Sequence, residues 1–161
     1  MRDRNRIVVF AAGLLLAAGA ASAQKAVFVV RHAEKISSED ERLSEAGKAR
    51  AELLAKLLKD SGVAAIYSTD TARTRDTAAP LARARGLAIE TYDGPTALAE
   101  TVRREHPRDV VLVVGHSNTL GAILRAFGCA ESLVLAGDEY DNLFIVLPAD
   151  RGPATLLRLR F

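Results

Sequence analysis

The feature that most constrains the fold is a regular alternation of short apolar runs with helical patterns. Strand-like runs occur at residues 26–30, 63–67, 87–92 and 110–114. Helical patterns lie between or after them, at residues 44–62, 71–85, 95–105 and 120–127. Repeated strand–helix–strand order requires right-handed crossovers and gives parallel strands. The sequence therefore predicts an α/β three-layer sandwich, with a mostly parallel sheet and helices on both faces.

Turn residues and caps mark the boundaries of these elements. Ser44 is placed to cap the first helix, and Gly86 to end the second. Pro80 removes a backbone donor inside the second helix, so we expect the helix to bend or restart there. After the fourth helix, residues 143–147 and 154–160 predict two C-terminal closing strands. A hairpin is the expected connection between them, although other connections also fit the pattern.

The first 23 residues have the layout of a secretory signal peptide. Arg2, Arg4 and Arg6 precede an uncharged run that ends in Ala21-Ser22-Ala23. A retained membrane anchor would need about 20 clearly apolar residues, and this run is shorter and rich in Ala and Gly. We therefore expect residues 24–161 to form one mature domain, periplasmic or secreted, without a stable membrane anchor.

The charge of the predicted mature domain excludes partners that need a strong positive field. The whole chain has a formal net charge of +2, and the signal, with three arginines against one aspartate, accounts for all of it. A formally neutral domain does not favour binding to nucleic acid or to an anionic membrane. Cys129 is the only cysteine, so no internal disulfide forms, and we expect it to pack as a small hydrophobic residue.

Polar residues cluster directly after the predicted strands. They are Arg31, His32 and Glu34; Ser68, Asp70 and Arg73; Asp93; and Gly115, His116, Ser117 and Asn118. The carboxyl ends of parallel strands meet at one sheet edge, where ligands bind in open α/β sheets. Arginine matches phosphate oxygens geometrically, and a histidine nitrogen can attack phosphorus. This set predicts a site for a small phosphorylated substrate.

Other chemistries fit these residues less well. A metal site is disfavoured because only two histidines reach the edge, no paired metal-ligand spacing occurs, and Arg31 would repel a cation. A serine hydrolase is disfavoured because Ser117 lacks the Gly-x-Ser-x-Gly context. Each residue taken alone also has an ordinary structural or surface interpretation, so the prediction depends on their convergence.

The chain resembles the histidine phosphatase superfamily, which includes phosphoglycerate mutases and small phosphohistidine phosphatases. Four blocks carry the resemblance: Val29-Val30-Arg31-His32-Ala33-Glu34; Leu43-Ser44-Glu45-Ala46-Gly47; Tyr67-Ser68-Thr69-Asp70 with Arg73-Thr74-Arg75-Asp76-Thr77-Ala78; and Val114-Gly115-His116-Ser117-Asn118. The resemblance implies the phosphoglycerate mutase-like fold. It implies that His32 is the nucleophile and that Arg31, Arg73 and His116 hold the phosphoryl oxygens. We assign Asn118, beside His116, to substrate binding.

The general acid that protonates the leaving oxygen is the open part of the site. Asp93, at the end of the third strand, is the first candidate. Glu34 and Glu100 are alternatives, and so is an acidic cluster at the start of the tail, if it folds back. That cluster consists of Asp138, Glu139 and Asp141. Each of these carboxylates is also explained as a solvated surface group.

The expected activity is metal-independent hydrolysis of phosphomonoesters through a phosphohistidine at His32, without a cofactor. A mutase-like phosphotransferase is the less favoured activity, because a minimal domain has little with which to enclose a phosphorylated intermediate. A non-catalytic phospholigand-binding protein is the alternative from another class. A structural envelope protein with a vestigial pocket ranks last.

Overall fold

The computed structural model describes residues 25–161, so the predicted signal peptide at residues 1–23 lies outside the described residues. Within the described part, no helix is long and apolar enough to cross a membrane. The elements are β1 (Ala26–Arg31), α1 (Glu45–Leu58), β2 (Val63–Ser68), α2 (Ala72–Arg85), β3 (Ile89–Thr91), α3 (Pro95–Glu105), β4 (Val110–Gly115), α4 (Leu120–Ala126), β5 (Asn142–Leu147) and β6 (Thr155–Arg160).

These strands form one six-stranded sheet in the order β3-β2-β4-β1-β5-β6. The first four strands along the chain are parallel, β5 pairs antiparallel with β1, and β6 pairs antiparallel with β5 at the edge of the sheet. β5 and β6 pair from Asn142↔Arg160 to Leu147↔Thr155, so the expected hairpin is confirmed. The predicted fold class is therefore confirmed as well.

Helices cover both faces of the sheet. Leu54 and Leu81, from α1 and α2, pack on one face, whereas Leu98 and Ile123, from α3 and α4, pack on the other. Successive residues of β1 and β4 alternate between these two cores, which is why both strands are continuous aliphatic runs. The two central strands are thus buried on both faces, and they place their carboxyl ends rigidly.

The start of α1 is tied to the segment that follows β1. The side chain of Ser44 accepts a hydrogen bond from the Gly47 N–H at 3.1 Å, which confirms the predicted cap. The backbone N–H of Ser44 donates to the Glu34 carbonyl at 2.9 Å. Glycine is required at position 47 because a Cβ there would overlap that same carbonyl oxygen. These contacts hold the turn after β1 against α1.

Pro80 lies inside α2, where the sequence predicts either a bend or a restart of the helix. The helix runs as one element from Ala72 to Arg85, with Pro80 buried inside it. The restart was a wrong expectation, because Ala78, Leu81 and Ala82 pack in the core on either side of the missing donor. Tertiary packing thus outweighs the loss of one backbone hydrogen bond.

The third strand is shorter than its sequence pattern indicates. Only residues 89–91 pair, against Ile66 to Ser68 of β2. β3 is an edge strand with a single neighbour, so residues on either side of it have no second strand to extend the ladder.

Cys129 lies in the core between α4 and the sheet, with 4% of its surface exposed. Burial, with the nearby negative charge of Glu131, raises the pKa of its thiol to about 11. The thiol is therefore protonated at neutral pH and acts as a small apolar group, as expected.

Candidate active site

The pairing of β1 with β4 places two histidines next to each other. Arg31 pairs with Gly115, the last residue of β4. The N–H of His32 donates to the Gly115 carbonyl at 2.9 Å. His32 and His116 therefore leave adjacent strands at the same level of the sheet. Their ring centroids are 5.4 Å apart, in an edge-to-face arrangement.

The His32 ring is fixed in one tautomer. Its Nδ1 lies 2.8 Å from the Ala33 carbonyl oxygen. A carbonyl only accepts, so Nδ1 carries the proton and donates it to this bond. The neutral ring then keeps its lone pair on Nε2, the nitrogen that is free to act as a nucleophile.

The surroundings of His32 keep it neutral. Burial, together with the positive charges of Arg73 and Arg31 and the nearby His116, lowers the pKa of the imidazole from 6.5 to about 4, although the hydrogen bond to Ala33 opposes this shift. Only 5% of the residue is exposed. At neutral pH the ring is therefore neutral, with no proton on Nε2, as nucleophilic attack by that nitrogen requires.

Arg73, from the first turn of α2, completes the cluster with His116. Its Nη2 donates to His116 Nδ1 at 3.3 Å. Because a guanidinium only donates, the neutral His116 carries its proton on Nε2, which donates to Thr69 Oγ1 at 2.8 Å. Burial, followed by the charge of Arg73, lowers the pKa of His116 as well.

Thr77 connects the strand-end turn to α2. Its Oγ1 accepts a hydrogen bond from the Ala33 N–H at 2.9 Å, and its hydroxyl donates to the Arg73 carbonyl at 2.7 Å. One side chain thus couples the backbone beside His32 to the backbone of Arg73. The position of the guanidinium relative to the imidazole is set by this bridge as well as by the sheet.

Arg31 is held by a segment that the sequence placed only loosely. Its Nη1 donates to the carbonyls of Ala136, Gly137 and Glu139, of which the bond to Gly137 is the shortest at 2.9 Å. Its guanidinium lies 3.9 Å from the centre of the Tyr140 ring, and that ring is 6.0 Å from the His32 ring. Sequence reasoning missed Tyr140. The only signal for it was an aromatic residue inside the acidic segment.

Both arginines retain an unused donor. Among the described residues, Arg31 Nε and Arg73 Nε are buried and have no hydrogen-bond partner. Leaving a buried donor unpaired costs about 1–3 kcal/mol, and native proteins rarely keep such groups without a reason. Two unpaired guanidinium donors around a neutral histidine favour binding of an anion there.

Glu34 follows His32 in sequence, but its carboxylate serves another purpose. It accepts hydrogen bonds from Arg50 Nε at 2.8 Å and from Arg50 Nη2 at 2.7 Å. Burial raises the pKa of Glu34, but the hydrogen bonds and charge of Arg50 outweigh it and hold the pKa below its usual value. Arg50 also binds the Phe161 carbonyl. This carboxylate therefore stabilises the fold as an ion, and the geometry does not favour it as an acid.

Among the described residues, neither Asp93 nor Glu100 forms a hydrogen bond or an ion pair with His32, so their role as the acid stays a prediction. Asp93 is exposed and lines a separate cavity of about 180 Å³ with Tyr67 and Tyr92. Glu100 is exposed on α3. None of the four predicted phosphate-pocket residues lines that cavity.

The acidic segment does fold back over β1, as the sequence analysis allowed, but its carbonyls face Arg31. Its carboxylates bind β6: Glu139 pairs with Arg158 at 2.9 Å, and Asp141 pairs with Arg160 at 2.6 Å. Asp138 is exposed. The segment thus contributes backbone acceptors and Tyr140 to the site.

The residues after His116 contribute less than their position indicates. Asn118 is exposed and Ser117 half-buried, so a role for Asn118 in substrate binding stays a prediction. The backbone N–H groups of Thr119 and Leu120 both donate to the His116 carbonyl. These two donors are therefore used within the protein.

One carboxylate that the sequence analysis did not weigh lies at the cluster. Glu41, in the loop between β1 and α1, forms an ion pair with Arg73 Nη1. The signal that could have identified it is its place in the ten-residue stretch that follows Arg31-His32. Within residues 25–161 no group of three or more histidine, cysteine or acidic side chains is arranged to hold a metal ion.

The sequence model of the histidine phosphatase superfamily (branch 1) matches residues 27–94, and this match confirms the resemblance. The matched stretch contains Arg31, His32, Glu41 and Arg73 but not His116. A comparison with curated proteins gives no match.

Solved structures share the fold. A phosphohistidine phosphatase, SixA from Agrobacterium tumefaciens, superposes with a TM-score of 0.62 and 24% identity, covering 85% of this chain and 98% of its own. Mycobacterial glucosyl-3-phosphoglycerate phosphatase in complex with inorganic phosphate superposes with a TM-score of 0.65 and 16% identity, covering 85% of this chain and 96% of its own. YhfR from Bacillus stearothermophilus superposes with a TM-score of 0.62 and 19% identity, covering 82% of this chain and 95% of its own.

The buried environment of His32 leads to a testable titration. In the protein without phosphate, we expect the His32 imidazole to protonate with a midpoint near pH 4, because burial and two guanidinium groups oppose its charged form. Histidine NMR signals, assigned by comparison with H32A, report this midpoint. A midpoint at or above the ordinary value of 6.5 would contradict the description of the site.

Proposed function

We propose that this chain, which has the sequence pattern and the fold of the histidine phosphatase superfamily, hydrolyses small phosphomonoesters through a phosphohistidine at His32. A phosphatase activity agrees with the superfamily and with the phosphatases among the structural neighbours. The proposal further includes His32 as the nucleophile, independence from metals and cofactors, and export of the protein.

One observation carries the proposal. His32 is buried, neutral and fixed with its lone pair on Nε2, and the two guanidinium groups that lower its pKa each keep a buried N–H without a partner. A phosphate group satisfies both requirements of this arrangement at once. Its oxygens accept the unused hydrogen bonds, and its phosphorus is an electrophile for the imidazole.

In the first step the substrate's phosphoryl oxygens bind Arg31 and Arg73, with His116 beside them. Nε2 of His32 attacks phosphorus in line with the ester bond, that bond breaks, and the phosphoryl group stays on the ring. The fixed positive charges stabilise the negative charge on the transferring group without having to reorient. The hydrogen bond from Nδ1 to Ala33 stabilises the positive charge that develops on the imidazole.

In the second step water attacks the phosphohistidine. The bond between phosphorus and Nε2 breaks, its electron pair returns to the ring, and inorganic phosphate leaves. Hydrolysis is favoured over transfer to a second substrate hydroxyl because a domain of this size has little chain with which to enclose a phosphorylated intermediate. The mutase-like alternative would require walls that retain the intermediate.

Export is proposed from the sequence of residues 1–23, with their basic start, apolar run and Ala-Ser-Ala end. Expression of the full chain in a bacterium should give a periplasmic or secreted product that begins at Gln24. Intact-mass measurement of the fractions checks this. Recovery of only the full-length chain in the cytoplasm would contradict it.

The nucleophile is tested by comparing two histidine variants. H32A should lose at least about a thousandfold in kcat on 4-nitrophenyl phosphate with a chelator present, because removing a nucleophile abolishes the covalent route. H106A is the matched control. His106 follows α3, where it contacts Asp109 and Tyr67, and its removal should leave kcat within about twofold.

Two outcomes of this assay would overturn the proposal. Retention of turnover by H32A would exclude His32 as the nucleophile. Absence of turnover in the unmodified protein, together with stabilisation against heat by inorganic phosphate, would identify a phospholigand-binding protein without catalysis.

A further inference from the structure

The loop between β1 and α1 carries three consecutive carboxylates, Glu39, Asp40 and Glu41, beside the phosphate pocket. The loop is ordered by its own contacts. Lys35 and Leu43 form an antiparallel bridge, and the Ile36 N–H donates to the Arg42 carbonyl at 3.0 Å. Because the base of the loop is fixed, the three carboxylates have distinct and defined surroundings.

Two of these carboxylates are bound within the loop. Glu39 accepts hydrogen bonds from the hydroxyls of Ser37 at 2.9 Å and Ser38 at 2.6 Å. Arg42 donates hydrogen bonds to the Asp40 carboxylate, and these bonds lower the pKa of that carboxyl to about 2. Asp40 is therefore ionised at neutral pH and has no proton to give.

Glu41 differs from both because it reaches out of the loop to the pocket. Its carboxylate pairs with Arg73, one of the two arginines with an unused donor. Its negative charge also acts on His116, where it opposes the lowering of the pKa by burial and by Arg73. The charge of Glu41 thus acts on Arg73 and His116, two of the three residues expected to surround the phosphoryl group.

The two side chains of the ion pair between Arg73 and Glu41 differ in how far they are exposed to solvent. The side chain of Arg73 is 15% exposed, whereas that of Glu41 is 51% exposed. In-line attack places the leaving oxygen on the side of phosphorus opposite the nucleophile. Since His32 is buried, we expect that side to face solvent, as the half-exposed Glu41 side chain does.

We propose that Glu41 is the general acid of the phosphatase reaction, an assignment that rests on the function proposed above. A bound phosphate dianion competes with Glu41 for the Arg73 guanidinium. The carboxyl then lies beside a doubly negative group instead of a cation, which favours its protonated form. The displaced carboxyl remains at the outer side of the pocket, next to the leaving oxygen.

Glu41 then serves both halves of the reaction. As Nε2 of His32 bonds to phosphorus, the ester P–O bond breaks, its electron pair stays on the leaving oxygen, and the Glu41 proton passes to that oxygen to form the alcohol. In hydrolysis the Glu41 carboxylate accepts a proton from the attacking water as the P–N bond breaks. Phosphate leaves, and the carboxyl is protonated again.

The test compares two leaving groups in the first turnover. Rapid mixing of excess enzyme with phenyl phosphate or 4-nitrophenyl phosphate measures phenol or nitrophenol release, independently of phosphohistidine hydrolysis. 4-Nitrophenoxide departs without needing a proton, whereas phenoxide depends on one. E41Q should therefore slow phenol release by at least about 100-fold and nitrophenol release by less than about tenfold.

E39Q is the matched control, because it removes a neighbouring carboxylate that the loop's serines bind. It should leave both first-turnover rates within about twofold of the unmodified protein. Equal slowing of both substrates by E41Q, or no slowing of either, would overturn the assignment. So would tighter binding of inorganic phosphate by E41Q with an unchanged leaving-group pattern, which would make Glu41 only a competitor for Arg73.

Failure of the underlying function has a different signature. If the unmodified protein releases neither phenol nor nitrophenol, or if H32A releases both, then the phosphatase mechanism itself is wrong and Glu41 has no leaving group to protonate. If only the leaving-group selectivity of E41Q is absent, the nucleophile assignment stands and the acid assignment falls.

Discussion

The site depends on the register between β1 and β4. Arg31 lies opposite Gly115, and the His32 N–H bonds to the Gly115 carbonyl. A slip of one residue would turn the side chains of either strand to the opposite core and would separate the two histidines. Because both strands are buried on both faces, packing penalises such a slip heavily. The geometry of the pair formed by His32 and His116 is thus a consequence of core packing.

The positive groups of the site are partly compensated by contacts within the protein. Arg73 is paired with Glu41 and hydrogen-bonded to His116, and Arg31 is held by backbone carbonyls under Tyr140. Each positive group is therefore partly compensated, yet each keeps at least one donor without a hydrogen bond. If the proposed function holds, a phosphate ester need displace only the ion pair between Arg73 and Glu41. The inner contacts that orient His32 remain in place.

Much of this could be predicted from the sequence because it depends on local signals. Aliphatic runs gave the central strands, Ser44 gave the start of α1, and the residues after each strand gave the arginines and histidines that the structure brings together. Strand ends are fixed in space by the fold class alone. The same reasoning placed Asp93 at the sheet edge, but a shared edge does not guarantee a shared pocket. Asp93 faces a different cavity.

What the sequence could not give depends on long-range contacts of loops. The pairing of Glu41 with Arg73, and the return of residues 136–140 over Arg31, join segments that no periodicity connects. The packing that carries α2 through Pro80 is of the same kind. Glu34 illustrates the converse. It follows His32 closely in the sequence, but its carboxylate accepts hydrogen bonds from Arg50, which also binds the Phe161 carbonyl.

The proposed mechanism requires that His32 carries the phosphoryl group during turnover. Its most direct test is to quench the enzyme within the first turnover of a ³²P-labelled phosphomonoester and to locate the label by peptide mass spectrometry. The account predicts an acid-labile, base-stable label on the peptide that contains His32, and no label in H32A. Rapid turnover with no trapped label, or a label on another residue, would contradict it.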